Sequence, residues 1–234
     1  ARLAISEAVL NIAAADVVDI GDICLSANWM APAGDDDALL YDMVRTVGEE
    51  LCPALGIAVP VGKDSMSMQT AWQQDGQPRR VVAPVSLVIS AFAPVTDIRQ
   101  TLTPQLDRNV ESVLLLVDLS EGRNRLGGSC YAQAYAQFGG EPADLVSPQH
   151  LGNAFKALRA LRDQQDMLAY HDRSDGGVVV SLLEMAFASH CGIDVCVPDN
   201  QDAIPFLFNE EPGFVIQVPA TARETVVELF QAYG

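Results

Sequence analysis

Apolar residues occur on almost every side of the first segment, ARLAISEAVLNIAAA (1–15), where Leu3, Ile5, Val9, Leu10 and Ile12 stand among alanines. Alanine-rich sequence without glycine or proline predicts a helix, and an all-round apolar surface predicts a buried one. Two of its few polar side chains, Glu7 and Asn11, are one helical turn apart and share a face. GDICLSANW (21–29) alternates like a short strand. PAGDDDALLYDMVRTVGEELCPALG (32–56) predicts an aspartate-capped amphipathic helix of about five turns, stopped at Gly56. IAVPVG (57–62) predicts a strand that KDSMSMQTAW (63–72) continues. QQDGQP (73–78) reads as a hairpin-like crossing, and RRVVAPVSLVISAFAPV (79–95) as the longest strand.

TDIRQTLTPQLDRN (96–109) mixes charge with little periodicity, which places a boundary there and divides the chain into 1–100 and 101–234. Beyond it VESVLLLVDLS (110–120) predicts a buried strand, and a Gly-rich turn opens the helix CYAQAYAQFGG (130–140). A helix at 148–166, the strand MLAYH (167–171), the helix VVVSLLEMAFASH (178–190), the strands IDVCV (193–197) and GFVIQV (213–218) and a terminal helix complete the series. Strands separated by helices predict layered α/β packing with mixed sheets.

With 49% apolar residues the 234-residue chain can fill a core. Fourteen Lys and Arg against 31 Asp and Glu give a net charge of −17, which argues against nucleic acid as a partner but leaves room for phosphorylated small molecules held through divalent metals. No long uncharged apolar run and no leader-like opening are present, so a soluble, cytoplasmic protein without a membrane partner is expected. Ala1 and the terminal helix ETVVELFQAYG suggest a piece of a longer chain. Five cysteines without a C-x-x-C motif suit a reducing compartment, and His190, Cys191 and Cys196 have no usual zinc spacing.

AYHDRSDGG (169–177) concentrates charge between two apolar runs. Ser174 or Asp175 suits a helix N-cap, which explains one residue of the motif. Gly176 and Gly177 would let backbone amides approach an anion at the positive end of the next helix, while Asp172 at the strand end suits a metal. Glu7 and Asn11 offer the carboxylate and amide oxygens that Mg2+ takes, or form a solvated stripe. PVGKDSMSM (60–68) sets Lys63, Asp64 and Ser65 after an apolar strand, without the glycine spacing of a Walker loop. Glu210 and Glu211 in FNEEPG cannot face the same way in an extended chain, so a turn is expected there rather than a carboxylate pair. No G-x-S-x-G elbow supports a serine triad.

LSANWM, GEELCPALGIAVPVGKDSMSM, PVSLVISAFAPV, TLTPQL, HDRSDGG, EMAFASHCGI and FNEEPGFVIQV together closely resemble the large single-chain bacterial phosphoribosylformylglycinamidine synthases, over essentially the whole chain. The resemblance implies the aminoimidazole ribonucleotide synthetase fold, with a partial N-terminal domain and a C-terminal domain from the second of two copies. It implies an ATP-dependent purine-biosynthesis ligase that takes ammonia from glutamine and activates an amide oxygen by phosphorylation. The first copy and the glutaminase would be partner domains outside this chain, and the isolated chain is expected not to turn over. It further implies an auxiliary ADP or ATP held with Mg2+ by Glu7, Asn11 and Asp172, completed by an aspartate upstream, with Ser174 touching the nucleotide. Asn28, Lys63 and Ser65 would face the substrate cleft. The alternative is a non-catalytic scaffold half, stabilised by its nucleotide.

Overall fold

The computed structural model describes residues 1–32, 34, 36–138, 140–164 and 166–234. Helix α1 (Arg2–Ile12) buries Ile5, Ser6, Val9 and Leu10 and leaves Glu7 and Asn11 on its open side. A short turn at Ile20–Asp22, capped by the Asp19 side chain on the Gly21 amide at 2.7 Å, leads into β1 (Cys24–Met30). The long predicted helix is three segments: α2 (Asp37–Arg45), a π-turn (Thr46–Leu51) and α3 (Cys52–Leu55), ending at Gly56 with φ 72°. Pro53 has no amide for the carbonyl four residues back, and the widened turn stands directly before it. The expected cap is absent at Asp36, and Asp37 instead accepts the Gly34 amide at 3.0 Å. Ala33 and Asp35 lie outside the described residues.

Strands β2 (Ala58–Ser65), β3 (Gln69–Gln74), β4 (Gln77–Val82) and β5 (Ser86–Phe92) follow. The predicted strand 79–95 is therefore two, because Pro84 cannot donate to a ladder. β3 and β4 form the expected hairpin, with Asp75 (φ 52°) and Gly76 (φ 75°) in the left-handed pair that a two-residue turn requires. β1 is the centre of a sheet ordered β2-β1-β5, parallel to β2 and antiparallel to β5. Leu25 and Ala27 of β1 point into the core with Leu87, Ile89 and Ala91 of β5. Strand alternation turns Ser26, Asn28, Val88 and Phe92 to the outer face.

The second part contains β6 (Ser112–Asp118), α4 (Cys130–Ala134), α5 (Pro148–Gln164), β7 (Ala169–Asp172), α6 (Gly177–Ser189), α7 (Ala203–Phe208), β8 (Gly213–Pro219) and α8 (Arg223–Tyr233). Its sheet is antiparallel with β8 central and buried; β6 is a half-buried edge strand, not the buried strand its apolar run suggested. IDVCV forms no strand despite its alternation, and lies irregularly beside β6 with no ladder bond between them. The helix read over 130–140 stops at Ala134, beyond which Ala136 takes φ 54°. The short helix α7 was not foreseen.

One apolar core crosses the division at residue 100, joining Ile5, Leu10, Ile23 and Leu51 to Phe155, Leu158, Phe214 and Ile216. Each such side chain contributes about 1.5–3 kcal/mol by leaving water. Polar ties follow the same path: Arg159 pairs with Asp16 at 2.6 Å, and Arg162 donates to the Ala13 and Ala14 carbonyls at 2.9 and 3.1 Å. These contacts fix α1 against the second sheet. No helix among the described residues is long and apolar enough to cross a membrane.

Candidate functional site

The site forms where α1 crosses the turn between β7 and α6. The buried Tyr170 hydroxyl donates to the Leu10 carbonyl at 2.7 Å, which sets Glu7, on the open side of α1, over the residues that follow β7. Glu7 lines a small cavity of about 30 Å³ with Arg173, Ser174, Asp175 and Glu210. Burial first, then the charges of Asp175, Asp172 and Glu210, hold the Glu7 carboxyl above its ordinary pKa. Four carboxylates thus share one electrostatic environment.

The neighbouring cations are arranged around other partners. Arg173, 4% exposed, gives its guanidinium to Asp118 at 2.5 Å and to the carbonyls of Glu211 and Pro212 at 2.5 and 3.0 Å. His171 has an acceptor at each ring nitrogen, the Asp172 carbonyl at 2.7 Å and the Glu184 carboxylate at 2.7 Å, the arrangement an imidazolium takes. The Asp172 carboxylate beside it, with Glu184, keeps its pKa above the ordinary value against the opposing effect of burial. With both ring nitrogens engaged, His171 is not free to act as an open general base.

Gly176 and Gly177 both have positive φ, 84° and 76°. A Cβ at Gly177 would fall 2.6 Å from the Asn209 carbonyl oxygen, so only glycine lets α6 begin this close to the segment before β8. The N-cap is Gly176 itself with no side-chain bond, which corrects the expectation of a Ser174 or Asp175 cap. Its amide is taken by Glu210 Oε1 at 2.8 Å, and the same oxygen takes the Cys130 amide at 2.8 Å. The thiol of Cys130 and the carboxylates of Asp175 and Glu210 place one ligand atom each within 4.8 Å of one another.

Glu211 takes the other side, as the extended-chain argument requires. It is 0% exposed and accepts Arg125 Nε and Nη2 at 2.6 and 2.8 Å. This is an ion pair inside the fold, not a site.

The residues singled out from sequence fall into two groups. Glu7 and Ser174 line the cavity, and Asp172 acts on Glu7 by charge. Asn11 stands one turn along α1, where it lines with Glu7 an open groove against β5. Asn28, Lys63 and Ser65 lie together elsewhere, on the outer face of β2-β1-β5: Asn28 is the ladder neighbour of Lys63, whose Nζ donates to Ser65 Oγ at 3.0 Å. The Asn28 Oδ1 atom is buried without a hydrogen-bond partner. None of the three lines the cavity around Glu7 or the groove beside Asn11. Sequence reasoning assigned Glu210 to a turn and missed Cys130; they reach the opening of α6 from 34 and 46 positions away, through contacts that no local pattern announces.

Residues 1–94 match the FGAR-AT PurM_N-like domain, and residues 109–234 match the AIR synthase related protein, C-terminal domain. A mixed α/β chain of AIR synthase-like N- and C-terminal domains, with a carboxylate pocket at the junction, is the class this fold and site define. The chain belongs to the AIR synthase-related family. Among solved structures it is similar to E. coli HypE, a hydrogenase maturation protein, at 20% identity and TM-score 0.64, over 99% of this chain and 68% of that one. T. maritima PurL complexed with ATP matches at 13% identity and TM-score 0.59, over 95% of this chain and 33% of that one. T. maritima PurL complexed with FGAR matches at 12% identity and TM-score 0.61, over 98% and 36%. At these identities the likeness is one of fold, and the chain spans about a third of the PurL chains.

Proposed function

We propose that this chain is a section of an ATP-dependent purine-biosynthesis ligase that converts formylglycinamide ribonucleotide, glutamine and ATP to the amidine, and that its acidic pocket holds a magnesium-bound ADP or ATP. One observation carries the reading: Glu7 from α1 meets Asp172, Asp175 and Glu210 around the first turn of α6, with Ser174 in the same cavity. The donor set fits the ion, since Mg2+ takes hard oxygen ligands. Glu7, Asn11 and Asp172 would hold the metal, and Ser174 would contact the nucleotide. When bound, Mg2+ neutralises carboxylate and phosphate charge together. The match of residues 1–94 to an FGAR-AT domain, and the shared fold of PurL structures that contain ATP or FGAR, support the assignment to this ligase.

Asn28, Lys63 and Ser65 are proposed to meet the ribonucleotide on the outer sheet face, where they stand side by side. These three residues line neither the cavity proposed for the nucleotide nor the groove beside it. This separation favours a holding role, in which the first synthetase copy and the glutaminase, as partner domains, carry out the chemistry. In the complete enzyme Asp172→Asn is then expected to lower the melting temperature much more than turnover per folded molecule. Turnover lost at unchanged stability would contradict it.

A further inference from the structure

Resting on the nucleotide reading above, we propose that Glu210 makes the pocket selective for the metal-complexed nucleotide, by keeping a carboxylate on the amides that a bare phosphate would otherwise take. Its direction is imposed by its neighbours. Asn209 is 0% exposed and its Nδ2 donates to the Pro205 and Phe206 carbonyls at 2.7 and 3.0 Å, while Glu211 is 0% exposed on Arg125. Alternation along an extended segment then turns Glu210 the other way, into the cavity with Glu7, Ser174 and Asp175.

There the Oε1 atom of Glu210 accepts the Gly176 amide at 2.8 Å and the Cys130 amide at 2.8 Å. The Gly176 amide opens α6, a helix of 13 residues with no side-chain cap of its own. A helix start attracts negative charge, and here an internal carboxylate already supplies it. The close approach at Gly177 keeps this contact in register. A free phosphate arriving at this turn meets an occupied amide and three further carboxylates. A divalent cation reverses the sign: the same carboxylates then face the metal, and like-charge repulsion becomes attraction. Glu210 is thus a specificity-determining residue, which excludes free nucleotide and inorganic phosphate more than it strengthens the metal complex.

The test is calorimetric titration of the full chain and of Glu210→Gln with ADP, once in excess Mg2+ and once in chelator. Glutamine keeps the size and an acceptor for both amides and removes the charge. The expected result is a gain of about tenfold or more in metal-free ADP affinity, equivalent to about 1.4 kcal/mol, with a smaller change for MgADP. Asp175→Asn, which leaves both amide bonds intact, is expected to shift the preference the same way, and melting curves of both variants report whether they fold. An unchanged preference in both variants would make Glu210 only the cap of α6 and overturn the proposal. Loss of MgADP affinity without a metal-free gain would make it a metal ligand and overturn it equally. If neither protein binds either form, the nucleotide reading falls as well; if wild type binds MgADP and the variants match it, only this inference falls.

Discussion

The hydroxyl of Tyr170 donates to the carbonyl of Leu10 across 2.7 Å, and this bond joins the helix that carries Glu7 and Asn11 to the strand that ends in Asp172. Both partners are buried, and burial pushes the Tyr170 phenol well up, so it remains a donor at any ordinary pH. Tyr170→Phe leaves a buried carbonyl without its partner, which costs about 1–3 kcal/mol. Denaturant unfolding is expected to show that loss. Magnesium-dependent ADP affinity is expected to fall with it, because α1 no longer has its polar tether to β7.

The Arg125–Glu211 pair leads to a larger effect. Glu211 is 0% exposed and Arg125 also donates to the Asp144 carbonyl at 2.7 Å. Arg125→Ala strands a buried carboxylate, an event that costs about 3–5 kcal/mol. At roughly 2–4 °C per kcal/mol for a chain of this size, the melting temperature is expected to fall by about 6–20 °C. The double variant Arg125→Met, Glu211→Leu, which removes both charges, is expected to recover most of the loss.

Glu7 is under strain from its neighbours when no metal is present, since Asp175, Asp172 and Glu210 add to the effect of its burial. Glu7→Gln is therefore expected to raise the melting temperature in chelator at neutral pH. In Mg2+ the order is expected to reverse, because the wild-type carboxylate then has a counter-ion. Thermal melts of both proteins in the two buffers measure this crossing directly.

The thiols separate by environment. Cys130 is exposed at the mouth of the site and Cys196 is exposed away from it, whereas Cys52 is 3% exposed and burial pushes its pKa up to about 11. Alkylation of the folded chain is expected to reach Cys130 and Cys196 and to spare Cys52, and MgADP is expected to slow Cys130 selectively. The folded state holds the Cys52 proton more firmly than the unfolded state does, so its contribution to stability is complete below the ordinary thiol range. It is lost as pH rises from there through about 11, and Cys52→Ala is expected to remove that slope.

Much of this architecture is local physics and was legible as such. The all-round apolar helix at α1, the Asp75-Gly76 turn and the stop at Gly56 depend on residues close to them in the chain. What was not legible depends on distant contacts or on proline. Pro84 divides one apolar run into β4 and β5, and Pro53 follows the π-turn, although the surrounding periodicity continues through both. IDVCV alternates like a strand but makes no ladder bond with β6, so its pattern has no partner to act on. At the site, Asp172 and Ser174 stood out in their own motif, whereas Glu210 enters through a bond to Gly176 that no local pattern announces. The cap expected of Asp175 failed because α6 begins at Gly177, which puts Gly176 in the N-cap position at φ 84°.

The most direct measurement is a calorimetric titration of this chain with ADP, with and without Mg2+, repeated with Asp172→Asn. The account predicts saturable heat that requires Mg2+ and is strongly reduced by the substitution. No heat above background at millimolar ADP, or heat that survives both chelation and Asp172→Asn, would contradict it.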